Sequence, residues 1–282
     1  MSSIYIPSFS EISAVARGRG ADSQAPGLWR GLVGAWPLQE VGGLTAFDVS
    51  GYRNNGTLTS MDAATDHVVT QMGRALDFAA KVNAYVTAPV VLSLSLPITI
   101  ACWFNQTATN AWGILASVDK TTGSGILTVD ARNDGKLCAY SVADNGISWR
   151  VAASVKSYLA NQWQHAVGVF ASATSRSIYF NGAFEATNTD SSNVTNLNHV
   201  SINAYYAYWY SDHWIESGGS VKVTGVLVYN RALLPSEIRS LYTDPWAMYR
   251  LRRRVQVRGA EVGTTIRWPW QLRRHRRMAG AR

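Results

Sequence analysis

From residue 84 to residue 229 the chain repeats one pattern, a short alternating apolar run followed by a turn signal. This rhythm restricts the fold more than any other feature, because period-two alternation suits strands and turn residues at short intervals suit hairpins. The runs fall at 84–86, 98–104, 113–118, 125–130, 136–142, 164–170, 177–181 and 221–229. Between or before them stand Asn54-Asn55-Gly56, Asn133-Asp134-Gly135, Asp144-Asn145-Gly146 and Asn181-Gly182, all tolerant of positive φ. In the run 98–104, Ile98, Ile100, Cys102 and Phe104 share one face and Trp103 lies on the other, so both faces are substantially apolar. A strand covered on both sides belongs in the middle of a sandwich, where one face meets a second sheet and the other meets loops.

Outside this pattern the signals are few. Residues 1–30 mix Ser, Gly and Pro around Arg17-Gly-Arg19-Gly and read as an extended arm. One helix is well marked at 233–242: Pro235 sits near its first turn, Leu234, Ile238, Leu241 and Tyr242 form a stripe, and Asp244-Pro245 stops it. The expected organisation is an N-terminal arm (1–30), one sandwich domain (31–245) and a C-terminal arm (246–282). No repeat and no Gly-rich phosphate loop is present.

Composition supports a packed interior, with 47% hydrophobic and 16% charged residues. Two cysteines, Cys102 and Cys138, make no disulfide framework and read as free, half-buried thiols. No secretory signal is apparent, and no run approaches the ~18 apolar residues of a membrane helix. The net charge of +8 is unevenly placed. Residues 250–282 hold eleven Arg, no Lys and one acid (Glu261), a charge of +10, leaving fifteen bases against seventeen acids over the other 249 residues. Electrostatic partners therefore belong to the tail and not to the near-neutral body.

The ordered segments Gly31-Leu-Val-Gly-Ala-Trp36, Asp48-Val-Ser-Gly-Tyr-Arg-Asn-Asn-Gly56, Gly73-Arg-Ala-Leu-Asp-Phe78 and Ile98-Thr-Ile-Ala-Cys-Trp103 carry a family likeness. Trp163-Gln-His-Ala-Val-Gly168, Ile178-Tyr-Phe-Asn-Gly182 and Val226-Leu-Val-Tyr-Asn-Arg-Ala-Leu233 continue it. Over residues 31–245 the chain resembles the laminin-G-like jelly-roll domains of the concanavalin-A-like lectin and glucanase superfamily. The resemblance implies an all-β, two-sheet antiparallel jelly roll with adjacent terminal strands; independently of it, Trp36, Trp103 and Trp163 are expected as large apolar core anchors. The resemblance also implies sugar or protein binding, often with a structural calcium. Where the family has an acidic pair before the last strand, however, this sequence reads Val223-Thr-Gly-Val226. Asp48 and Asp77 match family positions, but a calcium ion wants about six to eight oxygen ligands. Asp48 reads instead as the organiser of a turn through Ser50 and Asn54. No cofactor and no metal ligand is expected, calcium being the one candidate the resemblance raises.

No catalytic residue is expected. Glycosidases of this fold carry closely alternating carboxylates on a strand, and no such run exists; Asp130 with Asp134, and Asp212 with Glu216, straddle turn or loop residues. His165 reads as a buried, hydrogen-bonded structural histidine, and His67, His199, His213 and His275 lack metal-ligand spacing. No Gly-x-Ser-x-Gly elbow is present.

Two features remain to carry function. The first is the aromatic cluster Tyr205, Tyr206, Tyr208, Trp209, Asp212 and Trp214, read as a glycan platform, as a protein interface or as plain core. The second is the tail, where Arg252, Arg253, Arg254, Val255, Val257, Trp268, Trp270, Arg273 and Arg274 suit docking onto a partner. A jelly roll of this kind with such a tail resembles bacteriophage virion decoration or fibre proteins. That implies capsid or tail proteins as partners, a homo-oligomer (a trimer by analogy), contact with host-surface glycans, and assembly in the host cytoplasm. No membrane partner is expected. A free lectin is the alternative reading, and nucleic-acid binding through the Arg-rich tail a weaker one.

Overall fold

The computed structural model describes residues 5–252 except 19, 80, 82, 123, 210, 211 and 218, with the side chains of 207–209 and 212–217 also left out. Among the described residues the strands in chain order begin with β1 (Leu32–Trp36), β2 (Thr45–Ala46), β3 (Gly56–Thr59), β4 (His67–Thr70), β5 (Gly73–Asp77) and β6 (Tyr85–Leu94). They continue with β7 (Ile98–Gln106), β8 (Gly113–Asp119), β9 (Ile126–Ala131), β10 (Lys136–Val142), β11 (Trp149–Ser157) and β12 (Gln164–Ser172). The last are β13 (Ser175–Phe180), β14 (Ala183–Asn188), β15 (Leu197–Ile202), β16 (Ala204–Trp209), β17 (Asp212–Ser217) and β18 (Val221–Tyr229). Two α-helices, α1 (Phe9–Arg17) and α2 (Pro235–Thr243), flank them, and neither is long and apolar enough to cross a membrane.

All strand pairs are antiparallel, and two eight-stranded sheets form the sandwich. The first runs β14-β13-β12-β7-β18-β5-β4, and the second β11-β10-β9-β8-β15-β6-β3-β2. β18 changes partner part-way along one edge: Val223 pairs with Leu76 of β5, whereas Val226 to Tyr229 pair with β1. A bulge between Thr224 and Leu227, with Gly225 at φ +60, makes that change of direction available. The first and last strands of the sandwich, β1 and β18, are thus adjacent, as the resemblance implies.

Strand β7 shows why the sheets stack as they do. Its Ile98, Ile100, Cys102 and Phe104 enter the core between the sheets, where they join Trp36 and Phe78. Each such side chain, fully removed from water, contributes roughly 1.5–3 kcal/mol. Trp36 is the largest fully buried side chain among the described residues, and its Nε1 donates to the Asn54 carbonyl at 3.0 Å. Trp103 and Trp163, expected beside it, are only half-buried: Trp103 lies on the face of β7 opposite the core residues, and Trp163 precedes the first residue of β12. Both thiols are fully buried and unpaired; burial pushes the Cys138 thiol up to about 12 and raises that of Cys102 as well.

The opposite face of β7 meets helices more than loops. A second core gathers Ala101, Val167, Leu227 and Tyr229 from the first sheet with Ile12 of α1 and Ile238 of α2. Residues 1–30 are therefore not wholly extended. Ser8 and Glu11 form a capping box, with Ser8 N donating to the Glu11 carboxylate at 2.7 Å and Glu11 N to Ser8 Oγ at 3.4 Å, and Ile12, Val15 and Ala16 are buried. Trp246, Met248 and Tyr249, which follow the expected end of the sandwich, pack into the same core. Beyond them Arg250 and Arg252 run alongside residues 22–24: Gln24 N donates to the Arg250 carbonyl and Arg252 N to the Asp22 carbonyl, each at 2.8 Å. In α2 the stripe is Ile238 and Leu241. Leu234 is 62% exposed because, as the extended N-cap, it points away while Leu233 turns inward.

His165 sits under this second core, 2% exposed, with its ring 5.2 Å from Trp103. Its Nδ1 meets no hydrogen-bond partner, so the expected histidine is buried without the expected bond. Burial drives its pKa down to about 3. The unfolded chain takes up this proton near pH 6.5 and the folded chain does not. The histidine's contribution is therefore intact above about pH 6.5 and lost as pH falls towards 3. Stability should drop by on the order of 3 kcal/mol between pH 6.5 and pH 4. Unfolding titrations of wild type and His165→Gln at both pH values check this, and equal acid sensitivity of the two proteins would exclude His165 as the cause.

Candidate functional site

The second sheet turns one face to the core and carries an unusual set of residues on the other. On β8, β9 and β15, Val118, Val129 and Val200 point inward. The intervening positions are Ser117 and Asp119, Thr128 and Asp130, His199 and Ser201, all buried and all polar. The antiparallel register sets Ser117 opposite both Thr128 and Ser201, and Asp119 opposite both Ile126 and His199. Alternation along a strand thus becomes one polar surface across three strands.

Asp119 organises one end of this surface. Its Oδ1 lies 3.1 Å from His199 Nδ1, and its Oδ2 accepts from Ser117 Oγ at 2.6 Å, Ser201 Oγ at 3.2 Å and Tyr206 N at 3.3 Å. The last bond fastens the β16–β17 hairpin to the sheet. Ser201 and Asp119 both reach the same nitrogen of His199, so these groups do not form the relay of a nucleophilic triad.

At the other end is a groove of about 320 Å³, lined among others by Trp112, Thr128, Asp130, Tyr140, Trp149 and Tyr205. Tyr140 stands between two indoles, its ring centroid 6.1 Å from Trp112 and 6.3 Å, edge-on, from Trp149. The Arg132 guanidinium lies 5.8 Å over the Trp112 ring. Thr128 Oγ1 donates to Asp130 Oδ1 at 2.6 Å, and Asp130 is 1% exposed. Flat rings beside a small number of fixed polar groups are the usual make-up of a small-molecule site, and the volume falls within the usual range.

The aromatic cluster read from the sequence divides here. Tyr205 is buried against Ile114, Ile126 and Val142 and helps line the groove. Tyr206 meets the His199 ring edge-on at 4.6 Å. Tyr208 pairs with His213, Trp209 with Asp212 and Ala207 with Trp214 along the hairpin backbone; the side chains of Tyr208, Trp209, Asp212 and Trp214 lie outside the described set. Trp112, Tyr140, Trp149 and Asp119 were not singled out. A signal existed for the last, because Ser117-x-Asp119 and Thr128-x-Asp130 interrupt apolar strands at every second position.

The carboxylate pairs resolve as follows. Asp134 stands in the β9–β10 turn beside Arg132 at 3.5 Å and is not brought to Asp130. Asp212 and Glu216, expected across a loop, both lie on β17, where four residues span about 13 Å. In the tail, Arg252 Nε donates to the Ser23 carbonyl at 2.8 Å. Arg253, Arg254, Val255, Val257, Trp268, Trp270, Arg273 and Arg274 lie outside the described residues.

The residues at the implied calcium positions do not fit a cation. Asp48 accepts from Ala35 N, Ser50 N, Ser50 Oγ and Asn54 N at 2.8–2.9 Å, which occupies both its oxygens in organising the turn. Asp77 accepts from Ala79 N and pairs with Lys222 at 3.1 Å. Among the described residues no group of three or more His, Cys, Asp or Glu is placed to hold a metal ion.

Comparison with known proteins agrees with this architecture. The Laminin_G_3 profile, described as concanavalin A-like lectin/glucanases superfamily, matches residues 80–239. Nothing among curated protein sequences matches the chain. Among solved structures, domain 4 of AbnA, an extracellular GH43 arabinanase from Geobacillus stearothermophilus in complex with arabinotriose, superposes with a TM-score of 0.56 at 15% identity. That match covers 75% of this chain and 98% of the other. Trypanosoma rangeli sialidase in complex with sialic acid gives 0.55 at 16% identity, covering 77% of this chain and 33% of the sialidase. The receptor binding domain of botulinum neurotoxin D gives 0.56 at 10% identity, covering 77% and 53%. The chain spans about a third of the sialidase length, and at these identities the likeness is one of fold.

Proposed function

The chain belongs to the Laminin_G_3 family of the concanavalin A-like lectin/glucanase superfamily, and from this premise we propose that it is a non-enzymatic carbohydrate-binding module. The observation that carries the reading is the groove, where Trp112, Tyr140 and Trp149 surround the Thr128–Asp130 pair. An aromatic face can cover the apolar face of a sugar ring while a fixed carboxylate and hydroxyl take its hydroxyl groups. The sugars in the arabinanase-domain and sialidase complexes support this reading.

Carboxylate spacing supports binding over hydrolysis. Asp119 and Asp130 share the outer face of β8 and β9, with Asp130 four positions beyond the Asp119–Ile126 pair, or about 13 Å along the strands. A retaining glycosidase needs roughly 5 Å between its carboxyl groups and an inverting one up to about 9.5 Å. The test is calorimetric titration of the full-length protein with a panel of neutral and acidic oligosaccharides. Saturable binding without turnover is expected; no binding at millimolar sugar, or release of shortened product, overturns the reading.

In its finer form the module is a bacteriophage virion component, a capsid decoration or tail-fibre protein. It is fastened to the particle by its tail and displays the sandwich outward. The family resemblance and the +10 charge confined to residues 250–282 support this form. Because Arg250 to Arg252 are bonded to residues 22–24, the informative truncation removes 253–282. It should leave the melting temperature unchanged and abolish incorporation into particles, and full incorporation of the truncated protein would refute the tail's role.

A further inference from the structure

A second concavity, of about 490 Å³, lies between α1 and the loop after β2, well separated in sequence from the glycan groove. Phe9, Ser13 and Arg17 line it from the helix, and Phe47, Arg53 and Asn55 from the loop. The two phenyl rings meet at 5.7 Å and form its apolar wall. Arg17 and Arg53 are both exposed, and among the described residues neither forms an ion pair. Among the described residues lining the cleft the one carboxylate is Asp48, which already holds four donors.

The backbone at Arg53 is constrained by its neighbour Asn54. Its φ of +59 lies in the left-handed region, which a long side chain seldom occupies, and Gly51 turns the same way at φ +103. The next residue, Asn54, is fixed at four points. Its backbone N donates to Asp48 and its Nδ2 to the Val33 carbonyl, while its Oδ1 accepts from Val91 N and its carbonyl from Trp36 Nε1. The guanidinium therefore emerges from a backbone with little freedom left to lose on binding.

On the loop after β2, Phe47 and Tyr52 are 42–43% exposed, and neither residues 47–55 nor α1 contains a lysine. Aromatic residues and Arg without Lys make up the composition of protein interfaces. Two guanidiniums are too few to follow a nucleic-acid backbone. We propose that this cleft docks an acidic segment of a partner protein, with two carboxylates on Arg17 and Arg53 and an apolar side chain between Phe9 and Phe47. The site goes beyond the carbohydrate reading and stands without it.

Labelled twelve-residue peptides in which two Asp or Glu flank a Phe or Leu, titrated onto the full-length protein by fluorescence polarisation, provide the test. The controls are the same peptides with Asn and Gln. The variant is Arg17→Gln with Arg53→Asn, since asparagine tolerates the left-handed backbone and keeps the fold. Wild type should bind the acidic peptides at least about tenfold more tightly than the double variant does, and more tightly than it binds the amide peptides. The Arg-rich tail is common to both proteins, so it cannot produce that difference. Trp112→Ala should bind the peptides as wild type does, which separates this site from the glycan groove. Equal binding by wild type and double variant, or no binding at millimolar peptide, overturns the proposal. So does a dimer in sedimentation that Phe47→Asp abolishes, which would make a second copy the occupant.

Discussion

Asp48→Ala lowers the unfolding free energy of the sandwich by about 3–5 kcal/mol, a large fraction of the roughly 5–15 kcal/mol that holds an ordinary domain together. The side chain is 7% exposed and accepts four hydrogen bonds, three from backbone N–H groups and one from the Ser50 hydroxyl. Truncation orphans Ala35 N inside β1 and Asn54 N in the loop that carries the Trp36 and Val91 contacts. Each buried donor left unmade costs about 1–3 kcal/mol, reduced where water reaches the loop. Guanidinium unfolding should show a lower midpoint with an unchanged slope. Chelator should change neither protein, because the carboxylate acts as a hydrogen-bond acceptor and not as a cation ligand. A loss under 1 kcal/mol, or a wild type that EDTA destabilises to the level of the variant, would contradict the role assigned here.

The sandwich was legible because alternation is a local property. The run 98–104 announced a strand covered on both faces, and β7 places Ile98, Ile100, Cys102 and Phe104 in one core and Ala101 in the other. Helix α2 was visible in its proline start and its Ile238–Leu241 stripe. Helix α1 was missed although Ser8-x-x-Glu11 is a capping box, because Gly, Pro and Ser in the surrounding stretch favour an arm. The groove was harder for a physical reason. Trp112, Tyr140 and Trp149 lie up to 37 positions apart, and each is an unremarkable aromatic in its own strand or loop. They become neighbours only through the β8–β9–β10–β11 register, which sets Gly113, next to Trp112, opposite Ala131, and Val142 opposite Ile126 on one side and Trp149 on the other. By contrast the dense cluster 205–214 drew attention because its members are consecutive, yet of the two described side chains Tyr206 packs against His199 and Tyr205 only closes the groove from its small core.

That difference decides where a binding defect should appear. Trp112→Ala weakens sugar binding by about 10- to 30-fold, or about 1.4–2 kcal/mol, the usual cost of removing an aromatic anchor from a binding site. Trp112 is 40% exposed, so the unfolding midpoint should hardly move. Trp112→Phe, which keeps a ring facing Tyr140, should recover part of the affinity. Joint replacement of Trp112 and Trp149 by alanine removes both indoles flanking Tyr140 and should take binding below detection, although Trp149 also supports the small core with Ile126 and Val142, so some stability is lost with it. Asp130→Asn isolates the polar half of the site: it keeps the shape beside Thr128 and replaces one acceptor oxygen available to a sugar hydroxyl with an amide donor. If the aromatic and carboxylate variants bind as wild type does while the fold is intact, the groove is not the sugar site, and alanine variants of Tyr208, Trp209 and Trp214 are the next to titrate.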